Sequence, residues 1–167
     1  MTFSLYDASA PMFVRGLNVL VGLIDKAAAS GLDEEGLMQG RLAPDMLPFV
    51  SQVRIATDLA KGAVARLAEV EPMVLADDET TLAQLRARIM RTIAYVESVG
   101  PEQFAGAETR AVQLKFPGME LDFEGAGYLT SFALPNFYFH VTTVYALLRH
   151  AGVALGKRDY MGQLALA

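Results

Sequence analysis

Apolar residues recur at helical spacing in four stretches of this chain. The first stretch is expected to begin near Pro11, with Ser9 as its N-cap, and to end at Gly31. Its stripe predicts a core helix and comprises Met12, Phe13, Leu17, Leu20, Val21 and Ile24. A short helical turn capped by Asp33 is predicted for residues 33–39.

The second and third stretches predict two further long helices. The second is expected to open at Ala43-Pro44-Asp45 and to stop at Glu71-Pro72, with Gln52 at the edge of its apolar stripe. The third is expected to be capped by Thr80 or Thr81 and to end at Gly100-Pro101. Its apolar stripe is expected to face inward, while its arginines are expected to face solvent: Arg86, Arg88 and Arg91.

The hydrophobic period changes between the third and the last helix. Apolar and polar residues alternate over residues 112–116 and again over 119–123, on both sides of Pro117-Gly118. A period of two around a turn predicts a β-hairpin, about residues 110–124, with Lys115 opposite acidic partners. Because an isolated hairpin is marginally stable in water, its apolar face is expected to cover the helices. Residues 125–134 are interpreted as a bridge between the hairpin and the last helix, with a helical turn as an alternative.

The fourth stretch, Leu134 to His150, is apolar nearly all round and holds both histidines. This pattern is typical of a buried central helix. Asn136, His140 and Thr143 interrupt it at spacings i, i+4 and i+7, so they lie on one face. Buried polar groups without partners cost several kcal/mol, on the order of 2–7 each. This stripe must therefore be hydrogen-bonded, bound to a metal or turned toward a pocket.

Composition places the 167-residue chain among globular proteins, with 53% hydrophobic and 20% charged residues. We expect one domain, residues 1–167, built as an all-α four-helix bundle with an inserted hairpin. The net charge of -5 and the lack of a basic face argue against nucleic-acid binding. The apolar run 16–24 is broken by Asn18 and follows Asp7, so we interpret it as a core helix and expect a cytoplasmic protein without membrane attachment.

The residues restrict the possible chemistry. The chain has no cysteine and two histidines, and these lie ten positions apart, roughly 15 Å along one helix. They cannot share one ion within a subunit, so His140 is the only plausible metal ligand and no metal cofactor is expected. A weakly held divalent ion such as nickel or zinc, with carboxylates or amides completing its ligands, is the alternative. Motifs for a nucleophilic serine or for nucleotide phosphates are missing.

A buried imidazole needs a partner, and Gln52 is the expected one. Its amide offers both a donor and an acceptor, so it can satisfy either neutral tautomer of His140. The pair can be purely structural, or it can line an inter-helix pocket with Asn136 and Thr143. The neighbouring aromatic residues are expected to belong to the core or to a subunit contact: Phe137, Tyr138, Phe139 and Tyr145.

The last part of the chain carries a distinctive pattern at residues 135–143, Tyr145, residues 148–150 and residues 156–160. This pattern resembles the closing signature of an uncharacterised bacterial family of the DinB-like superfamily. The second helix resembles the family as well, in residues 44–46, 52–53 and 66–67. The resemblance implies a four-helix bundle in up-down-down-up order, often a homodimer.

The resemblance also sharpens the metal question. Members of the wider superfamily bind a divalent metal through three histidines, one on the second helix and two at i, i+4 on the last, and some are thiol-dependent transferases or isomerases. This chain has Gln52 at the second-helix position, and Asn136 and Val144 flank His140 at the four-residue spacings. We therefore hypothesise a degenerate metal site in a small-molecule-binding or non-catalytic dimer. The alternative is a metal-assisted, thiol-dependent transferase that uses His140 with non-histidine ligands.

Overall fold

The structure is a computed structural model that describes residues 3–163. Its elements in chain order are α1 (Leu5–Ala28), α2 (Glu34–Gln39), α3 (Phe49–Ala68), α4 (Leu82–Glu97), a 3₁₀ turn (Pro101–Phe104), β1 (Ala111–Phe116), β2 (Met119–Glu124), α5 (Gly125–Tyr128), a π-helical turn (Leu129–Ala133), α6 (Leu134–His150) and α7 (Lys157–Met161). The long helices α1, α3, α4 and α6 pack around one core, α1 on α4 and α6, and α3 on the same two. The predicted four-helix bundle with one hairpin is confirmed.

Contacts near the helix ends give the relative direction of α1 and α4. Asp25, near the end of α1, pairs with Arg86, near the start of α4, at 2.7 Å. Tyr6, near the start of α1, packs edge-on against Phe104, which follows α4, with ring centroids 5.3 Å apart. The two helices are therefore antiparallel.

The directions of α3 and α6 follow in the same way. Arg54, in the first half of α3, binds Glu79 just before α4 begins, so these two packed helices are parallel. Leu67, at the far end of α3, lies against Gly125 at the start of the last helical segment. Because α6 continues that segment and packs along α3, the two are antiparallel. The order up-down-down-up is confirmed.

The first helix begins earlier than predicted. Ser4 accepts a hydrogen bond from the Asp7 amide at 3.2 Å, and the Asp7 carboxylate accepts one from the Ser4 amide at 2.9 Å. This reciprocal capping box fixes the start of α1, so Pro11 lies inside the helix. Ser9 is not the cap: it is buried, and its hydroxyl donates to the Leu5 carbonyl at 2.7 Å.

By length and composition alone, α1 is apolar enough to cross a membrane. Its apolar stripe, however, is part of the core of the bundle, and Phe13, Leu17 and Leu20 are each 0% exposed. A core helix passes the same composition test, so the interpretation of this segment as the first core helix is confirmed.

The second long helix begins later than predicted, at Phe49 rather than at residues 43–45. Residues 43–46 form a turn in which the Met46 amide donates to the Ala43 carbonyl at 3.0 Å. Pro48 explains the shift, because a proline disfavours helical conformation in the residue before it. The helix ends at Ala68, three residues before Glu71, and Glu69 adopts a left-handed conformation with φ 52°.

The hairpin and the cap of α4 are confirmed. Thr81 and Gln84 form the capping box of α4. The strands pair in antiparallel register from Ala111 opposite Glu124 to Phe116 opposite Met119.

Residues 125–134 are helical throughout, so the predicted bridge is wrong. The segments α5, the π turn and α6 form one helical run from Gly125 to His150. Pro135 accounts for the π turn directly before it, because its ring lacks an N–H and crowds the carbonyl four residues earlier, that of Ser131. At Gly125 a Cβ would collide with the Ala107 carbonyl oxygen, so only glycine fits that close approach. The short helix α7 was not predicted.

Candidate binding site between helices α3 and α6

The centre of the candidate site is a hydrogen bond between two helices. Gln52 on α3 is 2% exposed and His140 on α6 is 8% exposed. The Nδ1 atom of His140 lies 2.6 Å from Oε1 of Gln52, so the expected partnership is present. The other end of the amide is fixed as well, since its Nε2 donates to the Leu47 carbonyl at 3.0 Å.

Burial acts on the charge of the imidazole. It lowers the pKa of His140 below its ordinary value of 6.5, because the charged form loses its hydration in the protein interior. His140 is therefore neutral at pH 7. The site presents a neutral imidazole and an amide, not a charged centre.

The other two predicted site residues are placed differently. Thr143 is 6% exposed, and its hydroxyl donates to the Phe139 carbonyl of its own helix at 2.8 Å. Asn136 is half-buried one turn before His140. Within residues 3–163 neither of them hydrogen-bonds to Gln52 or His140. The structure thus joins two of the four residues directly, and the pocket role of all four stays a prediction.

An open groove of about 500 Å³ lies along α6 near the pair; Gln52 and His140 are not among its lining residues, but Phe139 and Thr143 are. Its size is within the range of small-molecule pockets, about 300–1,000 Å³. The Phe139 ring, one of its walls, packs edge-on against the His140 ring with centroids 5.2 Å apart. The groove is mainly apolar, and its three hydroxyls are each hydrogen-bonded within the fold. It is lined by Leu42, Met46, Tyr138, Phe139, Thr142, Thr143 and Ala146.

The residues present do not fit the three-histidine ligand set of the DinB-like superfamily. An amide faces Nδ1 of His140 where a second imidazole would be needed. Among residues 3–163 no group of three or more histidine, aspartate or glutamate side chains is arranged to hold a metal ion. An ion at His140 would have one imidazole and no built cage.

A second polar cluster, absent from the sequence predictions, is centred on a buried arginine between α3 and α4, and two of its carboxylates, those of Asp58 and Asp77, are exposed. Arg88 is 0% exposed, which contradicts its expected place on the solvent face. Its guanidinium donates to Thr57 Oγ1 at 2.6 Å and to the Ala76 carbonyl at 2.7 Å. It also pairs with three carboxylates, those of Asp58 at 2.8 Å, Asp77 at 3.0 Å and Glu79 at 3.0 Å. We call these groups the Arg88 cluster.

Glu79 connects the Arg88 cluster to a second arginine. Its carboxylate pairs with Arg54 at 2.8 Å, and its carbonyl accepts from the same guanidinium at 2.8 Å. Burial by itself raises the pKa of Glu79, but hydrogen bonds from Arg88 and Arg54 outweigh it and hold the pKa below its ordinary value of 4.5. The Arg88 cluster holds the segment between α3 and α4 against both of these parallel helices, which is a structural role.

A sequence signal for the buried arginine existed. Arg88 lies three residues after Leu85 and next to Ile89, so it is within the inward stripe of α4. Acidic residues precede the helix at positions 77–79, close enough to neutralise it. An arginine within an apolar stripe and near acidic residues predicts a buried ion pair better than an exposed face.

A larger cleft of about 820 Å³ lies between α1, the end of α4 and α7. Three of the polar side chains around it are engaged within the fold: Arg15 donates to the Met161 carbonyl, Asn18 donates to the Val14 carbonyl at 3.0 Å, and Asp159 pairs with Lys26 at 2.7 Å. Volume alone therefore does not make it the better candidate.

Comparisons with known proteins agree with the fold. The profile of a family described as "Domain of unknown function (DUF1993)" matches residues 5–161. A solved structure described as a DinB family member protein from Shewanella denitrificans is 39% identical, with a TM-score of 0.88 over 98% of this chain and 94% of that one. No curated protein matches.

The up-down-down-up bundle and its solved neighbour define the class: this is a DinB-like helical-bundle protein. Within that class, the chain belongs to the DUF1993 family, a family of unknown function, because the family profile covers nearly its whole length.

Proposed function

We propose that this DinB-like protein binds a small molecule in the groove beside His140, without a metal ion. One observation carries the proposal: the 2.6 Å bond between Gln52 and His140 holds an imidazole whose ring packs against Phe139, a wall residue of an open apolar groove of about 500 Å³. A few fixed polar groups beside an apolar surface are typical of ligand sites. Thr143, and Asn136 on the same helix face, would add further polar contacts.

The proposal includes a second copy of the chain as partner. Leu42, Leu47 and Phe139 are 41%, 49% and 55% exposed, and Leu42 and Phe139 also line the groove. Apolar side chains on the rim of a groove favour burial against another surface. A cytoplasmic homodimer that covers this rim is the arrangement we propose.

Metal analysis of protein purified without an affinity tag tests the metal-free proposal. We expect less than stoichiometric nickel, zinc and manganese, unchanged by His140→Ala. A stoichiometric ion that is lost in His140→Ala would instead favour the metal-assisted, thiol-dependent transferase.

Light scattering coupled to gel filtration tests the partner. We expect Phe139→Asp to shift a dimer toward monomer, because it places a charge on the proposed interface. Met90→Asp is the matched control, since Met90 is 44% exposed on α4. Equal masses for Phe139→Asp and the unchanged protein would reject the interface.

A further inference from the structure

The orientation of the Gln52 amide is determined by its surroundings. One of its two terminal atoms lies 3.0 Å from the Leu47 carbonyl oxygen. A carbonyl oxygen only accepts hydrogen bonds, so the atom facing it is the NH₂ group. The amide oxygen consequently faces His140, and reversing the amide would place two oxygens in repulsive contact.

This orientation determines where the proton of His140 lies. The Gln52 oxygen also only accepts, so Nδ1 of His140, 2.6 Å away, must carry the hydrogen. The imidazole is neutral at pH 7, so its other nitrogen, Nε2, has a free lone pair. The Leu47 carbonyl, through Gln52, thus selects one tautomer of His140.

The lone pair of Nε2 is accessible. Within residues 3–163 no buried side-chain nitrogen or oxygen lacks a hydrogen-bond partner, and Nδ1 is the ring atom that Gln52 satisfies. The 8% of His140 that stays exposed therefore includes Nε2. His140 is not itself among the residues that line the groove, but Phe139, which packs edge-on against its ring, and Thr143, three residues after it, are.

We infer that Gln52 is a specificity-determining residue that turns His140 into a hydrogen-bond acceptor for ligands that carry a hydroxyl or N–H group on an apolar body. This inference rests on the proposed small-molecule function. A ligand that offers only acceptor oxygens, such as an ether, lacks the hydrogen that Nε2 requires. The hydroxyls of Thr142 and Thr143 in the groove wall are already bonded, to the Tyr160 hydroxyl and to the Phe139 carbonyl.

Nitrogen-15 NMR of the labelled protein at pH 7.5 tests the tautomer directly. We expect His140 to show a protonated Nδ1 and an unprotonated Nε2. His150, exposed at the end of α6, is the internal reference for a solvated imidazole, and a His150→Gln variant assigns the signals. Protonation of His140 at Nε2 in the unchanged protein would overturn the inference.

Two small probes of similar shape test the ligand class. Phenol carries a hydroxyl donor, and anisole replaces that hydrogen with a methyl group. We expect phenol to shift the Nε2 signal of His140 and to bind about two- to tenfold more tightly than anisole, as one hydrogen bond implies. In Gln52→Met this preference should disappear while both probes still shift the amides of Phe139 and Thr143.

The outcomes separate the inference from the function beneath it. Equal binding of both probes with no response at Nε2 overturns the donor requirement and leaves small-molecule binding intact. If neither probe shifts the groove amides at millimolar concentration, both the donor requirement and the proposed groove function are rejected.

Discussion

Two polar clusters involve α3, one where it packs against α4 and one where it packs against α6, and they differ in how completely their polar groups are hydrogen-bonded. In the Arg88 cluster, backbone and side-chain acceptors surround a guanidinium that is 0% exposed. In the α3–α6 site, one imidazole nitrogen is paired with Gln52 and the other is left accessible. A cluster whose polar groups are bonded to one another has no hydrogen-bonding capacity left for a ligand. An accessible acceptor near a groove can still accept a hydrogen bond from one. The Arg88 cluster therefore has a structural role, and the accessible nitrogen of His140 supports the binding proposed for the α3–α6 site.

The largest expected effect separates the two clusters by stability. Arg88→Met should lower the free energy of unfolding by about 3–5 kcal/mol, because Glu79 is left buried without its main partner. Urea denaturation measures this change. Arg91→Met, on the exposed face of the same helix, should stay within about 0.5 kcal/mol. Similar losses in both variants would remove the structural role assigned to the Arg88 cluster.

The next effect concerns the α3–α6 site. His140→Ala should lower the free energy of unfolding by about 1–3 kcal/mol, since the buried Gln52 oxygen loses its donor. Thermal and urea unfolding would both report it, with exposed His150→Ala as control. An unchanged melting curve would indicate that His140 faces solvent in an open cleft.

Two buried threonines give a finer comparison. Thr57 accepts from Arg88 at 2.6 Å and donates to the Arg54 carbonyl, whereas Thr143 donates only within its own helix. Thr57→Val should therefore cost about 1–3 kcal/mol of stability, the penalty for a buried donor without an acceptor. Thr143→Val should cost less than about 1 kcal/mol by the same measure. A larger loss of stability in Thr143→Val than in Thr57→Val would contradict the distinction between the fully bonded Arg88 cluster and the α3–α6 site.

The smallest expected effect is the dependence on pH. Burial lowers the pKa of folded His140 below 6.5, so the unfolded chain takes up a proton first as the pH falls. The contribution of His140 to stability should be constant above about pH 6.5. It should decrease below that pH until His140 is protonated in the folded protein as well. Glu79 acts in a separate window, because its lowered pKa keeps its contribution intact above about 4.5.

Urea denaturation at pH 7.5 and pH 5.5 measures this dependence. The decrease at pH 5.5 should be reduced in His140→Ala and kept in His150→Ala. The same pH dependence in the protein with and without His140 would show that the imidazole is not desolvated.

Much of the fold was predictable because local patterns agree with tertiary packing. The stripes of α1, α3 and α4 and the alternation of the hairpin each bury one face, so periodicity identified them. Helix starts were less predictable. Proline marks a start only in context: Pro11 lies inside α1, and Pro48, not Pro44, precedes α3. A capping box at Ser4 and steric restriction before Pro48 decided these positions.

The pair of Gln52 and His140 was predictable, because a lone histidine in an apolar helix needs a hydrogen-bond partner and Gln52 lies at the edge of the α3 stripe. The groove near this pair was not predictable, because it forms only where the loop residues Leu42 and Met46 lie against α6. The charge of Arg88 predicts a place at the surface, but its position within the apolar stripe of α4 buries it.

The sequence by itself determined which residues are apolar at helical or strand period, how few metal ligands the chain has, and that His140 needs a partner. The tertiary structure alone decided which ring nitrogen of His140 is hydrogen-bonded to Gln52. This depends on the Leu47 carbonyl, which orients the Gln52 amide on α3, and on the position of His140 on the neighbouring helix α6. It also decided that Arg88 is buried, because only the packing of two parallel helices and their connection gathers enough carboxylates around one guanidinium. The period of the apolar residues specifies which face of a helix or strand is buried. Whether a buried polar group makes all its hydrogen bonds depends on every neighbouring residue in the fold.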